Sequence, residues 1–276
     1  MPTLDLHTHS DQSDGTCSPA EVVRGAARRG VSLLALTDHD TVSGCAEAAA
    51  EAERLGVAFV RGVEISTRLD DHLHILGLGV DVGEKGLKAA LGFALAKREE
   101  RVRRTVSQLN EAGIEADFAR VRARAKGSLS RAHVADYLRA TNRAQTRQDA
   151  FRKYLVPGRP GYVAGMGLDV NETIAAIRGA GGAAVLAHPG IVMSVLDLPA
   201  WRTAGLGGLE AFYAAHTEEM TRRLLSLAAK YGLFVTAGSD YHGPASGREN
   251  SIGVNVSEED FASMKKSLSG LAAWNT

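Results

Sequence analysis

The chain has 276 residues, 45% of them hydrophobic, with 32 basic and 32 acidic side chains. That length and apolar content can bury a sizeable core, whereas 5% aromatic residues leave little for a base-stacking platform of the kind that grips long nucleic acid. No apolar run reaches the roughly 18 residues of a membrane span and no signal-like segment precedes the first apolar strand, so a cytoplasmic protein without a membrane partner is expected.

The first element is an extended stretch through "DLHTHSDQSDG", residues 5–15. His7 and His9 stand two apart, so on an extended strand both imidazoles point to one face and can grip one ion. "SPAEVVRGAARRG" follows at 18–30: a capping Ser, apolar residues three and four apart and a final Gly predict a helix. The short apolar run "VSLLALTD" at 31–38 predicts a buried strand, with His39 directly after it. "TVSGCAEAAAEAERLG" at 41–56 reads as a helix; "VAFVRGVEIS" at 57–66 and "HLHILGLG" at 72–79 read as strands carrying Glu64, His72 and His74. Cys17 and Cys45 form no CxxC pair and are too few for a disulfide framework, so both read as thiols.

Between about 85 and 165 the alternation gives way to helices, through "EKGLKAALGFALAKREERVRRTVSQLNEAG", "RAHVADYLRA" and "QDAFRKYL", closed by a Gly/Pro-punctuated return. Residues 97–153 hold 15 Lys and Arg against 7 Asp and Glu, so this segment is basic and the rest of the chain acidic. The expected organisation is a barrel in two parts, 1–98 and 165–276, with a basic helical insertion at 99–164 over its mouth. The alternation resumes with a helix at 169–182, a strand at 182–190 containing His188, a strand at 205–213, a helix at 216–232 and a strand at 233–240. Asp240 closes that last strand and His242 follows it. His216, just before "TEEM", reads as a helix start rather than a ligand. Repeated βα units predict a mostly parallel sheet or barrel with helices outside, whose strand carboxyl ends gather the functional groups.

The polar exceptions assemble at those ends: His7, His9, Asp14, His39, Glu64, His74, His188, Asp240 and His242. Six of the nine histidines belong to this set. As a merely structural core it would carry a desolvation cost of several kcal/mol with no evident purpose. Nitrogen and oxygen donors without thiolate suit manganese, with zinc or iron as alternatives, and nine donors suit two or three divalent ions bridged by a carboxylate such as Glu64. The resulting positive cavity calls for an anionic, oxygen-rich substrate, phosphate above all. An ion-activated hydroxide near Glu64, Asp240 and His39 would attack phosphorus in line without a side-chain nucleophile. Asp38 and Asp40 either orient these ligands or cap a helix. No P-loop, GxSxG or dinucleotide fingerprint is present.

In order, "DLHTHSDQSDG", "LTDHDT", "GVEIS" with "HLHILG", "LAHPG" and "GSDYHG" resemble the motifs of the PHP (polymerase and histidinol phosphatase) family. The resemblance covers the chain outside the helical insertion and implies an α/β fold, a distorted seven-stranded β/α barrel of TIM-barrel-like form. It implies one ion on His7, His9, Glu64 and Asp240, a second on Glu64, His74 and His188, and a third on Asp14, His39 and His242. Asp14 stands where many histidinol-phosphate phosphatases have a histidine. "SRAHVADYL", "DAFRKYL" and "GRPGYV" resemble the family branch that removes the 3′-phosphate from nucleoside 3′,5′-bisphosphates or trims short 5′-phosphorylated oligonucleotides. The implied activity is 3′-phosphate release from a compound such as adenosine 3′,5′-bisphosphate, giving AMP and phosphate. The alternatives are 5′–3′ exoribonuclease action, histidinol-phosphate phosphatase action, and a noncatalytic metal- or nucleotide-binding module.

A second substrate phosphate would meet the helix that begins at Arg131 and His133 after Ser128 or Ser130, where backbone N–H groups and a guanidinium form a clamp. Ser130 and Arg159 complete the expected substrate-binding set. Most of the arginines over 98–104 read as a solvated helix face. The expected partner is a small nucleotide or short oligonucleotide, with no obligate protein partner.

Overall fold

The computed structural model describes residues 1–248 and 251–271, and the backbone of 274–275. Its chain begins with β1 (Thr3–Asp5), α1 (Pro19–Arg28), β2 (Val31–Leu36), α2 (Cys45–Leu55), β3 (Ala58–Ser66) and β4 (His74–Leu78). Four helices follow: α3 (Lys85–Glu111), α4 (Phe118–Arg122), α5 (Arg131–Ala140) and α6 (Arg147–Ala150), the last running into a π-helical turn, Phe151–Leu155. The remainder is α7 (Val170–Gly179), β5 (Ala183–Leu186), α8 (Leu198–Ala204), β6 (Gly208–Tyr213), α9 (Glu218–Tyr231), β7 (Phe234–Gly238), β8 (Val254–Asn255), α10 (Glu258–Leu268) and β9 (Trp274–Asn275).

The helices start where local chemistry satisfies their first N–H groups. Ser18 accepts from the Glu21 backbone N–H while the Glu21 carboxylate accepts from Ser18 N–H; Asp169 and Glu172 repeat the exchange at α7. α2 and α9 stop at Gly56 and Gly232, both left-handed, as expected of a residue without Cβ.

The strands run β7-β6-β5-β4-β3-β2-β1, with β8 beyond β1 and β9 on β3. The ring of seven closes where Leu6 N donates to Ala237 O at 2.9 Å and Thr8 bridges Tyr241. β1, β2 and β3 are mutually parallel, as are β5, β6 and β7, but β4 is antiparallel to both neighbours. The cause is the connection: residues 67–73 are too few for a crossover helix, so β4 must fold back on β3.

Leu4, Leu6, Leu33, Ala35, Val60, Leu76, Val185 and Ala237 form one buried cluster inside the barrel. A larger one, including Ile65, Ile75, Ile174, Ile177 and Leu209, lies between sheet and outer helices. The helical segment has its own cluster, with Val102, Leu109, Val121, Val134, Leu138 and Leu155. α3 joins the two: Leu87 and Leu91 pack toward the barrel, Val102 to Leu109 into the helical core. Among the described residues, no helix is long and apolar enough to cross a membrane.

Candidate metal centre and substrate cavities

Short segments after the strands carry most of the polar groups inward, while Glu64 lies within β3 and His74 opens the antiparallel β4. β1 ends at Asp5, but the chain stays extended through Thr8, which places His7 and His9 at the mouth. Three residues there adopt positive φ: Asp40 at 54°, His188 at 30° and Asp240 at 54°. Such backbone persists only where surroundings over-determine it. Asp240 follows Ser239, whose N–H and hydroxyl both donate to Asp5, at 2.9 and 2.6 Å.

Glu64 is the hub. Its Oε2 lies 3.2 Å from His7 Nε2, 3.1 Å from His9 Nε2 and 3.0 Å from His39 Nδ1. Its Oε1 lies 2.7 Å from His74 Nδ1 and 3.0 Å from His188 Nε2. Asp240 Oδ1 is 3.2 Å from His9 Nε2, and Asp14 Oδ1 is 3.3 Å from His242 Nε2. Three groups gather donor atoms within 4.8 Å of one another: His7, His9, Glu64 and Asp240; His39, Glu64 and His74; His9, Asp14, His39 and His242. The first matches the set the resemblance implied. The second has His39 where His188 was expected, and the third adds His9.

Burial alone would raise the Glu64 carboxyl, but His39, His74 and His7 around it hold it well below the usual range; Asp14 and Asp240 are likewise held ionised, Asp14 chiefly by His39 and His242, Asp240 chiefly by Arg248 and His242. Burial pushes His39 down to about 3, against the opposing pull of Glu64 and Asp14. Burial works the same way on His9, but Asp240 and Glu64 prevail and raise it to about 9. His7 Nε2, both ring nitrogens of His9, His39 Nδ1, Asp14 Oδ1, Glu64 Oε2 and His242 Nε2 are buried with no hydrogen bond. Ionised carboxylates interleaved with unsatisfied imidazole nitrogens are what a divalent cation requires, so the residues fit a metal centre.

Groups behind the cluster fix its geometry. Both oxygens of Glu210, fully buried on β6, lie 3.2 Å from His7 Nδ1, and its Oε2 also accepts from His188 N at 2.8 Å. His242 Nδ1 donates to the Asp240 carbonyl at 2.8 Å, turning Nε2 toward Asp14. Gly238 makes room: a Cβ there would lie 2.3 Å from His7 Cβ and 2.4 Å from Glu210 Oε1. Asp38 accepts from Ser10 N–H and from the Ser10 and Ser13 hydroxyls, while Asp40 accepts from Ser66 N–H and pairs with Arg98. Neither caps α2, whose N-cap is Gly44 and which has no side-chain cap. His216 precedes the Thr217 cap of α9; its Nδ1 donates to Ala211 O and its Nε2 accepts from Gly190 N.

Two cavities share the histidine wall. One of about 420 Å³ is lined by Glu64, His74, His188, Ile191, Tyr213 and Arg248. A smaller one, about 170 Å³, is lined by Arg98, Arg101, Arg131, Ser130 and again Arg248. Asp71 spreads two of these guanidinium groups, accepting from Arg101 at 2.7 Å and from Arg131 at 3.0 Å. Burial and the neighbouring Arg131 lower Arg101 to about 10, still far above neutrality.

Of the expected substrate-binding residues, Ser130 and Arg131 line this cavity. Ser130 is the N-cap of α5, and its hydroxyl also lies 3.3 Å from Asp14 Oδ2. His133 is buried, and its Nδ1 accepts from Ser130 N at 3.0 Å to complete the capping box. Arg159 stands exposed in the return after the π-helical turn, outside both cavities. The reading of 98–104 as a solvated face needs correction. Arg103 and Arg104 are solvated and paired with Glu99 and Glu100, but Arg98 and Arg101 turn inward. Along α3 the buried stripe runs Leu87, Leu91, Ala94, then Val102, Thr105 and Leu109, and Arg98 and Arg101 occupy its gap.

A strand barrel whose mouth gathers imidazoles and ionised carboxylates, beside an arginine-lined cavity, defines a metal-dependent hydrolase of anionic esters. Residues 5–156 match the PHP domain. The chain is 40% identical over 258 residues to a 3′,5′-nucleoside bisphosphate phosphatase of Chromobacterium violaceum, covering 90% of both proteins. It is 35% identical over 249 residues to a 5′-3′ exoribonuclease of Haemophilus influenzae, covering 87% of this chain and 90% of that one. A crystal structure from Bifidobacterium adolescentis, of a protein described as a metal-dependent phosphoesterase, superposes with a TM-score of 0.86 at 31% identity over 96% of each chain. The chain belongs to the PHP domain family of phosphoesterases.

Proposed function

We propose that the protein releases the 3′-phosphate of nucleoside 3′,5′-bisphosphates, adenosine 3′,5′-bisphosphate giving AMP and phosphate. The observation that carries this reading is the shared wall: His39, His72, His74 and Arg248 line both the histidine-carboxylate cavity and the arginine cavity. A substrate with two phosphates separated by one ribose fits two anion sites that adjoin. The 40% identical bisphosphate phosphatase supports the same assignment.

Two or three divalent ions, manganese first among them, would be held by His7, His9, Glu64 and Asp240, by Glu64, His74 and His188 with His39, and by Asp14, His39 and His242. Bound there, they would supply Lewis-acid charge and a water of lowered pKa. Glu210 takes the Nδ1 proton of His7 into a hydrogen bond and so keeps the Nε2 lone pair directed at the centre. Arg98, Arg101 and Arg131 bind the 5′-phosphate by charge-assisted hydrogen bonds, and Ser130 stands beside it at the start of α5. The helical segment 99–164 acts as the cap that brings most of this clamp to the barrel mouth.

A second reading, removal of 5′ nucleotides from short 5′-phosphorylated oligonucleotides, has the same ester at the 3′ position and the support of the Haemophilus relative. Incubating manganese-loaded protein with equal adenosine 3′,5′-bisphosphate and 5′-phosphorylated diadenylate, with products resolved by chromatography, separates the two. Faster phosphate release from the bisphosphate is expected; faster cleavage of the dinucleotide would make trimming the main activity, and inertness toward both would overturn the proposal.

A further inference from the structure

A third cavity of about 470 Å³ opens on the far side of Arg248. Its walls include Ala132 at the start of α5, Phe151 at the first position of the π-helical turn, Val156 just after that turn, and Gln148. Arg248 lines all three cavities, and Phe151 with Ala132 is shared between this one and the arginine cavity. The three are therefore lobes of one space meeting at a guanidinium.

We infer that this third lobe is the nucleobase subsite, with the Phe151 ring as its stacking surface. The inference rests on the bisphosphate reading and extends it. A nucleoside 3′,5′-bisphosphate has three arms on one ribose, two phosphates and a base. The third lobe is also edged by Asp14, His242 and three arginines, but Phe151, Ala132 and Val156 give it an aromatic ring and two aliphatic walls, which suit a flat, weakly polar heterocycle. Phe151 is half-buried, with the Arg131 guanidinium 5.8 Å from its ring centre, so the ring is held beside the phosphate clamp. π-helical turns interrupt an α-helix at a cost and are frequent at functional sites; here the turn presents Phe151 to both lobes.

The same wall predicts tolerance of different bases. Arg147 donates to Asp136 and to the Asp14 carbonyl, Arg152 to Asp149, the Ser246 hydroxyl to the Gly243 carbonyl and the Gln148 amide to the Gly247 carbonyl. With those polar arms engaged by protein, recognition falls to stacking, which every base offers and which favours purines by their larger area.

Equilibrium titration of manganese-loaded protein with adenosine 5′-monophosphate and with ribose 5-phosphate tests the subsite without turnover. The nucleotide should bind about tenfold or more tightly, the size expected of one stacked base. Phe151→Leu should remove most of that gap while leaving ribose 5-phosphate binding intact, which also reports that the variant is folded; Phe151→Tyr should keep it. If Phe151→Leu loses both ligands, Val156→Trp, which fills the lobe from another wall, should close the gap on its own. Guanosine 5′-monophosphate should match the adenosine compound within a few-fold, with pyrimidine nucleotides somewhat weaker. Equal binding of the two ligands by wild type, or a gap that survives both Phe151→Leu and Val156→Trp, would overturn the inference. Hydrolysis of the bisphosphate is scored separately, so an inert enzyme that still shows the Phe151-dependent gap would sink the proposed reaction and leave the subsite standing.

Discussion

The barrel mouth and the helical segment spend their buried volume differently. At the mouth Asp5, His7, His9, Asp38, Glu64 and Glu210 are almost completely removed from water, each on hydrogen-bonded or charged neighbours. The helical segment buries Val102, Leu109, Val121, Val134 and Leu138, and leaves Arg103 and Arg104 paired with glutamates on its surface. A polar network in low dielectric is costly to leave half-satisfied, so its members depend on one another. An apolar bundle with a solvated face yields gradually. The mouth should therefore respond to substitution nearly all-or-none and the helical segment in graded steps.

The sharpest break should come at Glu64, which touches five histidines. Glu64→Gln removes the charge that draws those imidazoles together, and phosphate release should fall by more than the roughly 10–100-fold that loss of an outer partner costs. Metal content measured by plasma emission on the dialysed variant should fall with it. A Glu64→Gln protein that kept full activity and metal would remove the hub from the mechanism.

Next in size stands Glu210, which meets the solvent nowhere and the substrate nowhere. Glu210→Gln should lower metal affinity by about 10–100-fold, because an amide holds His7 Nδ1 less firmly than a carboxylate does. At saturating manganese most of the activity should return, which a ligand variant would not show. Gly238→Ala attacks the same contact sterically, pressing on both His7 and Glu210, and should give the same metal dependence.

In the arginine cavity the effect should be graded and confined to one arm of the substrate. Arg131→Met should raise KM for adenosine 3′,5′-bisphosphate by about tenfold or more, the worth of a charged hydrogen bond, and leave kcat nearly unchanged. Adenosine 3′-monophosphate, which lacks the 5′-phosphate, should hardly notice the change. A similar loss on both substrates would place Arg131 in the fold rather than in recognition.

How much of this was legible in the sequence follows from the same contrast. The βα alternation and the ordered His and carboxylate positions stood in or near strands, where short apolar runs stop at Gly or Pro, so the barrel and the convergence of these residues could be read directly. The antiparallel β4 was legible only through the short 67–73 connection. Glu210 was missed because "GLGGLEAFY" reads as a strand; one carboxylate in an apolar run does signal a buried partner, but no local pattern names His7, 203 residues away. Arg248 lies in a segment without periodicity and meets the site only through the tertiary fold. Phe151 was read only as part of the helix "QDAFRKYL", and its ring packs at the edge of the helical core.

Arg98 and Arg101 had a signal that charge alone obscured. From Leu87 the α3 stripe asks for apolar residues near 98 and 101, and finding arginine there means either a broken stripe or a buried anion site. Arg104, six residues beyond Arg98 and off the stripe, provides the matched control. Its guanidinium is exposed and pairs with Glu100 one turn back, an arrangement that salt screens and water replaces. Arg104→Ala should leave kcat/KM for the bisphosphate within about twofold of wild type, whereas Arg101→Ala, losing Asp71 and the Val163 carbonyl as well as the phosphate, should raise KM as Arg131→Met does. Steady-state kinetics on the two variants side by side would expose the helix: if Arg104→Ala cost as much as Arg101→Ala, the basic charge of the segment would act as a diffuse field rather than through the residues facing the cavity.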